Sequence, residues 1–126
     1  MNFTQIHHVA IIGSDYEKSK YFYTELLGFS IIRENYRPEK QDYKIDLALG
    51  DCELELFIIP SSPGRPSYPE ACGLRHLAFK VASVEDTVRE LREKGIETEP
   101  IREDTFTGEK MTFFADPDGL PLEIHE

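Results

Sequence analysis

Apolar residues alternate with polar ones in some stretches of this chain and recur at helical spacing in others. Residues 5–12, QIHHVAII, are rich in Val and Ile and predict a strand. Ser14 opens a helix, with Glu17 at the capping-box position, and Ser19, Phe22, Tyr23, Leu26 and Leu27 form its inner face. Gly28 suits the helix stop. Strands are predicted over 29–36, 42–49 and 52–59, the last two joined by a tight Gly50-Asp51 turn. The pattern then starts again. Residues 74–81, LRHLAFKV, predict a strand, and Ser83 caps a helix with Asp86 at the box position. Val84, Thr87, Val88 and Leu91 face inward, and Gly95 ends the helix. Strands follow near 97–103, 110–115 and 120–125, with Asp116-Pro117-Asp118-Gly119 turning the last hairpin.

Two β-α-β-β-β units are therefore expected within a single α+β domain spanning 1–126: a first unit over 4–60, a linker over 61–72 and a second unit over 73–126. The linker region carries Pro60, Pro63, Pro66 and Pro69 at every third position, which predicts an extended, polyproline-like connection.

A spacing repeats with the elements. His8 precedes Glu55 by 47 positions, and His76 precedes Glu123 by the same 47, so one shift of 68 residues relates both pairs. Side chains alternate faces along a strand. Val9 and Ile11 oppose His8; Leu54, Leu56 and Ile58 oppose Glu55. Leu77, Phe79 and Val81 oppose His76; Leu122 and Ile124 oppose Glu123. The apolar faces pack on the helices, which leaves all four polar side chains on the other face of their strands. Two imidazoles and two carboxylates make a donor set for one divalent cation, with Ni, Zn, Co and Mn all compatible. His7 points the other way and reads as structural. His125 reads as a rim residue, and Glu53 is the rival of Glu55. By alternation Ile12, Phe57 and Ile59 join the ligand face, with Phe114 expected opposite them as a substrate-lining group. Lys44, Asp46, Lys80, Lys110 and Thr112 are further polar candidates near it.

Composition narrows the partners. With 14 basic and 24 acidic residues the formal net charge is −10, which argues against nucleic acid and anionic membrane surfaces. Cys52 and Cys72 have no CxxC spacing and read as a reduced pair, consistent with a cytoplasmic protein. The N-terminal MNFTQIHHVAII has no basic region followed by a long apolar run, and no segment is apolar for long enough to span a bilayer.

The segments HHVAIIGSD, YFYTELLGF, LELF, GLRHLAFKV and DPDGLPLEI resemble the vicinal oxygen chelate superfamily, which includes glyoxalase I, bleomycin-resistance proteins and extradiol dioxygenases. The resemblance covers nearly the whole chain. It implies paired βαβββ units in a half-barrel-like mixed sheet, with a metal at the base of a cleft. The set His8, Glu55, His76 and Glu123 resembles that of glyoxalase I. That implies a metal-dependent lyase or isomerase moving a proton next to a carbonyl through an enediolate. Glu123 is then the ligand that also carries the proton, and Glu55 is a ligand and possible second base. The resemblance implies a homodimer acting on a small-molecule substrate. Bacterial glyoxalase I carries an Arg and an Asn that grip glutathione at the places of Ile12 and Ile59, which points away from lactoylglutathione. The alternatives are another metal enzyme of the superfamily, an epimerase or a dioxygenase, and a non-catalytic small-molecule binding or resistance protein.

Overall fold

The computed structural model describes residues 1–126 as two compact units, Met1–Pro63 and Gly64–Glu126. Each is a small α+β unit built on one four-stranded mixed sheet.

In the first unit the strands are β1 (His8–Gly13), β2 (Ile31–Arg37), β3 (Asp42–Leu49) and β4 (Cys52–Ile58), in the order β1-β4-β3-β2. β1 runs parallel to β4, and the other neighbours are antiparallel. Helix α1 (Tyr16–Lys20) continues as one π-helical stretch over Tyr21–Leu26. Its cap is Asp15 rather than Ser14: the Asp15 carboxylate accepts from the backbone N–H of Lys18 at 2.9 Å. Both residues are N-cap formers, and the later one wins because β1 runs on to Gly13. The wider turn keeps Phe22 and Tyr23 buried over Ile11, Ile45, Leu47, Leu54, Leu56 and Ile58 as the core.

Gly13 is where α1 and β1 come closest. A Cβ there would collide with Ser19 Oγ and stand 3.1 Å from Ser19 Cβ and 3.3 Å from Ile58 Cδ1. Ser19 is itself buried, so no atom can yield cheaply. Gly13→Ala is expected to destabilise the fold by about 1–3 kcal/mol, the usual cost of overpacking. Urea unfolding checks this; an unchanged midpoint would mean that the helix can ride outward at no cost.

The second unit has β5 (Leu77–Lys80), β6 (Arg102–Glu103), β7 (Lys110–Ala115) and β8 (Pro121–His125), in the order β5-β8-β7-β6. β5 is parallel to β8, as β1 is to β4. Helix α2 (Val84–Glu93) starts at Ser83, whose Oγ accepts from Asp86 N–H at 3.2 Å, and buries Val84, Val88 and Leu91. The strand expected over 97–103 shrinks to two residues. β5 is also shorter than expected, so His76 sits just before it.

The Pro-rich segment is not extended. Tyr68 has a left-handed φ of 56°, and Arg65 Nη2 donates to Leu74 O at 3.3 Å and Arg75 O at 2.7 Å, nine and ten residues on. Proline periodicity fixes local φ values, but the guanidinium folds the segment back as a loop. No helix is long and apolar enough to cross a membrane.

Candidate functional site

Pairing register decides which side chains share a face. Between β1 and β4, His8 pairs with Glu53, Ala10 with Glu55 and Ile12 with Phe57. Between β3 and β4, Asp46 pairs with Glu55 and Lys44 with Phe57. His8, Ile12, Glu53, Glu55, Phe57, Lys44 and Asp46 therefore all leave the sheet on the side away from α1. His8 Nε2 stands 3.6 Å from Glu55 Oε2. Two donors bound to one ion at about 2.0–2.2 Å lie roughly 3–3.6 Å apart. The pair thus has the separation of ligands around a common cation. Ile12 is exposed on this face and Ile59 half-buried beside it. The Phe57 ring lies under two cations, with Arg37 Cζ at 4.7 Å and Lys44 Nζ at 5.7 Å from its centroid.

Charge on this face is tightly paired. Asp46, only 1% exposed, meets Arg33 Nε at 2.6 Å and Lys44 Nζ at 2.9 Å. Arg33 also holds Glu53 at 2.8 Å, and Lys44 holds Glu55 Oε1 at 2.8 Å. The bond to Glu55, helped by Asp46, raises the Lys44 ammonium above its ordinary value against the cost of burial, so it stays charged at neutral pH. Asp46, Glu53 and Glu55 bring carboxylate oxygens within 4.8 Å of one another, and Arg33 and Lys44 pair with all three, offsetting two of the three negative charges. Glu53, the rival of Glu55, is committed to Arg33, whereas Glu55 keeps Oε2 turned toward His8. His7 lies outside the ligand pair and meets His8 edge-on, with Nδ1 to Nδ1 at 2.9 Å.

The second unit presents the same pair in other surroundings. His76 Nε2 stands 2.8 Å from Glu123 Oε2, with side-chain exposures of 27% and 8%. His76 Nδ1 is buried without a hydrogen-bond partner, so Nε2 is the nitrogen the ring offers. The ring is steadied by the edge of Phe113, with centroids 5.1 Å apart.

Here the expectation for Phe114 fails. Phe114 pairs with Leu122 across the hairpin and is buried on the helix side. Phe113 pairs with Glu123 and takes the ligand face instead. The Asp116 carboxylate sets this register by accepting from Asp118 N–H and Leu120 N–H, both at 2.9 Å, which pairs Ala115 with Pro121. Counting inward from that pair identifies Phe113. Thr112 is likewise on the core side, bonded to Glu99 O at 2.8 Å, and Lys110 is paired with Glu85. Lys80 pairs in register with His125 on the ligand side. His125 is engaged at the rim: the Glu126 carbonyl, then the charges of Glu123, Glu109 and Asp104, hold its imidazolium above the usual histidine value.

Residues 5–124 match the family model for the Glyoxalase/Bleomycin resistance protein/Dioxygenase superfamily. The chain belongs to that superfamily. The uncharacterized protein YwkD of Bacillus subtilis (strain 168) is 61% identical, over 96% of this chain and 95% of its own. The crystal structure of a glyoxalase family protein from Enterococcus faecalis matches with a TM-score of 0.95 and 64% identity, over the full length of both chains. The lactoylglutathione lyase of Escherichia coli O157:H7 is 26% identical, over 94% of this chain and 90% of its own. The glyoxalase-like domain thus has relatives that include lyases, at a much lower identity than YwkD.

Proposed function

We propose that this glyoxalase-like protein is a divalent-metal-dependent lyase or isomerase that moves a proton next to a carbonyl in a small oxygenated substrate. The observation that carries the reading is the duplicated pair: an imidazole Nε2 beside a carboxylate oxygen, His8 with Glu55 and His76 with Glu123, at equivalent register in both units. The donors fit a borderline divalent ion such as Ni²⁺, Co²⁺, Zn²⁺ or Mn²⁺. His76 fits for a further reason, since its Nδ1 is buried without a partner and Nε2 is the nitrogen facing Glu123. The distant lactoylglutathione lyase supports the same chemistry.

His8, Glu55, His76 and Glu123 are the residues that would hold the cation. When bound, it supplies Lewis-acid polarisation of the carbonyl and of the negative charge that develops on substrate oxygen. Glu123 takes the proton from the carbon next to the carbonyl and returns it to the neighbouring carbon. No oxidant is needed, because the proton leaves and re-enters within one substrate. Ile12, Phe57 and Ile59 line the ligand face of the first unit. Apolar Ile12 and Ile59 give no grip for glutathione carboxylates or amides, which favours a 2-oxoaldehyde in its hydrated form, R-CO-CH(OH)2, without a glutathionyl arm; the proton leaves the CH(OH)2 carbon and returns to the former ketone carbon, giving a 2-hydroxy acid.

Screening 2-oxoaldehydes with and without thiols, on metal-loaded and metal-stripped protein, tests the function. Metal-dependent turnover supports it. Stoichiometric binding without turnover would make the protein a binding module instead, and oxygen consumption with iron would make it a dioxygenase.

The assembly proposed is a homodimer in which each ion draws His8 and Glu55 from one chain and His76 and Glu123 from the other. Co-refolding the inactive variants His8→Ala and Glu123→Ala checks this. In a shared-site heterodimer one site collects both lesions and the other is intact, so activity returns. No recovery, or a monomer by light scattering at micromolar concentration, contradicts the exchange.

A further inference from the structure

Glu55 and Glu123 are equivalent by register, but their neighbours are not. In the first unit Glu55 pairs with Asp46 and Phe57 with Lys44. In the second, Glu123 pairs with Phe113 and His125 with Met111. The correspondence that carries Glu55 to Glu123 thus carries Asp46 to Phe113 and Lys44 to Met111. Only Glu55 has an ammonium on it.

That ammonium is fixed from behind. Arg33 Nε holds Asp46 Oδ2 at 2.6 Å, Asp46 Oδ1 meets Lys44 Nζ at 2.9 Å, and Lys44 Nζ donates to Glu55 Oε1 at 2.8 Å. The other oxygen, Oε2, is the one facing His8 Nε2 at 3.6 Å. The Phe57 ring closes one side of Lys44. A carboxylate with both oxygens free can swing between one-oxygen and two-oxygen coordination. Glu55 is not free in this sense.

We propose that Lys44 is a positioning residue for Glu55: it occupies Oε1, so that Glu55 offers only Oε2 to a cation shared with His8. The proposal rests on the reading of His8 and Glu55 as metal ligands. Its consequence for function is a division of labour. Glu55 stays a one-oxygen ligand and leaves a coordination position for a substrate oxygen. Glu123, with Met111 and Phe113 in place of Lys44 and Asp46, has no such restraint and is the carboxylate able to move with a proton.

The test uses Co²⁺, whose visible spectrum reports coordination number, on the full-length protein without substrate. Lys44→Met is compared with wild type and with Lys44→Arg, which keeps a cationic donor for Oε1. Because Lys44→Met leaves buried Asp46 short of one partner, the double variant Lys44→Met with Asp46→Asn is measured beside it. Wild type and Lys44→Arg are expected to share one spectrum. Both Met variants are expected to bind Co²⁺ at least as tightly, since a competing cation is gone, but with a weaker, shifted band as Oε1 joins the ion. A residue that merely neutralised Asp46 would change stability and leave the spectrum alone. Met variants that superimpose on wild type overturn the proposal while the metal reading stands. Wild-type protein that takes up no Co²⁺ overturns both.

Discussion

Glu123→Gln is expected to cut turnover by about 10²–10⁴-fold, the usual worth of a positioned general base, while metal occupancy changes far less. Gln keeps the shape and one oxygen donor, so the contact with His76 Nε2 at 2.8 Å can persist. What it loses is the charge and the ability to take a proton. Glu123 lies on β8 with only 8% of its side chain exposed, between His76 and Phe113, so bulk water is a poor replacement. Steady-state rates paired with elemental analysis of the same preparation give the comparison. Parallel losses of rate and metal would reduce Glu123 to a ligand only. An unchanged rate would move the base to Glu55 or elsewhere.

His76→Ala acts on the metal directly. Changes outside the ligand shell typically cost 10–100-fold in metal affinity, so deletion of a ligand nitrogen is expected to cost at least about 100-fold. The fold should survive, because His76 lies just before β5 on the face away from the buried Leu122 and Ile124. The Phe113 edge loses its ring contact, but Phe113 is only half-buried. Circular dichroism should match wild type while titration with Ni²⁺ or Co²⁺ shows the loss. Equal affinity in the variant would remove His76 from the site.

Much of this arrangement is legible in the chain, for physical reasons. Strand alternation needs only local order, so the facing of His8 against Val9 and Ile11, and of Glu55 against Leu54 and Leu56, follows from period two. The Ser83 cap is equally local. Features set by pairing between strands are harder to read. The choice between Phe113 and Phe114 depends on the hairpin register set by the Asp116 turn, which puts Phe113 beside Glu123 and Phe114 beside Leu122. Arg33 is not legible as a site residue, because nothing in β2 alone shows that it meets Asp46 on the adjacent strand and Glu53 on the strand beyond. The Pro-rich segment misled in the opposite sense. Its periodicity is genuine, but two hydrogen bonds from the Arg65 guanidinium, to the Leu74 and Arg75 carbonyls, close it into a loop. The helix after β1 was expected to be regular, and nothing in the spacing of Phe22, Tyr23, Leu26 and Leu27 distinguishes α from π winding.

Both units set a histidine beside a carboxylate of the last strand, His8 at the start of β1 with Glu55 on β4, and His76 just before β5 with Glu123 on β8. The charge around them differs. Under the proposed reading, a carboxylate held by Lys44 and one beside His76 and Phe113 with no ammonium on it suit two different tasks at one ion.

The most direct measurement is a titration of metal-stripped protein with Ni²⁺, Co²⁺, Zn²⁺ and Mn²⁺, read by calorimetry and confirmed by elemental analysis. The predicted result is one ion per chain, bound at a stoichiometric endpoint and weakened in each of His8→Ala, Glu55→Ala and His76→Ala. Absence of a stoichiometric endpoint for every ion, or one that survives all three substitutions, would contradict the account.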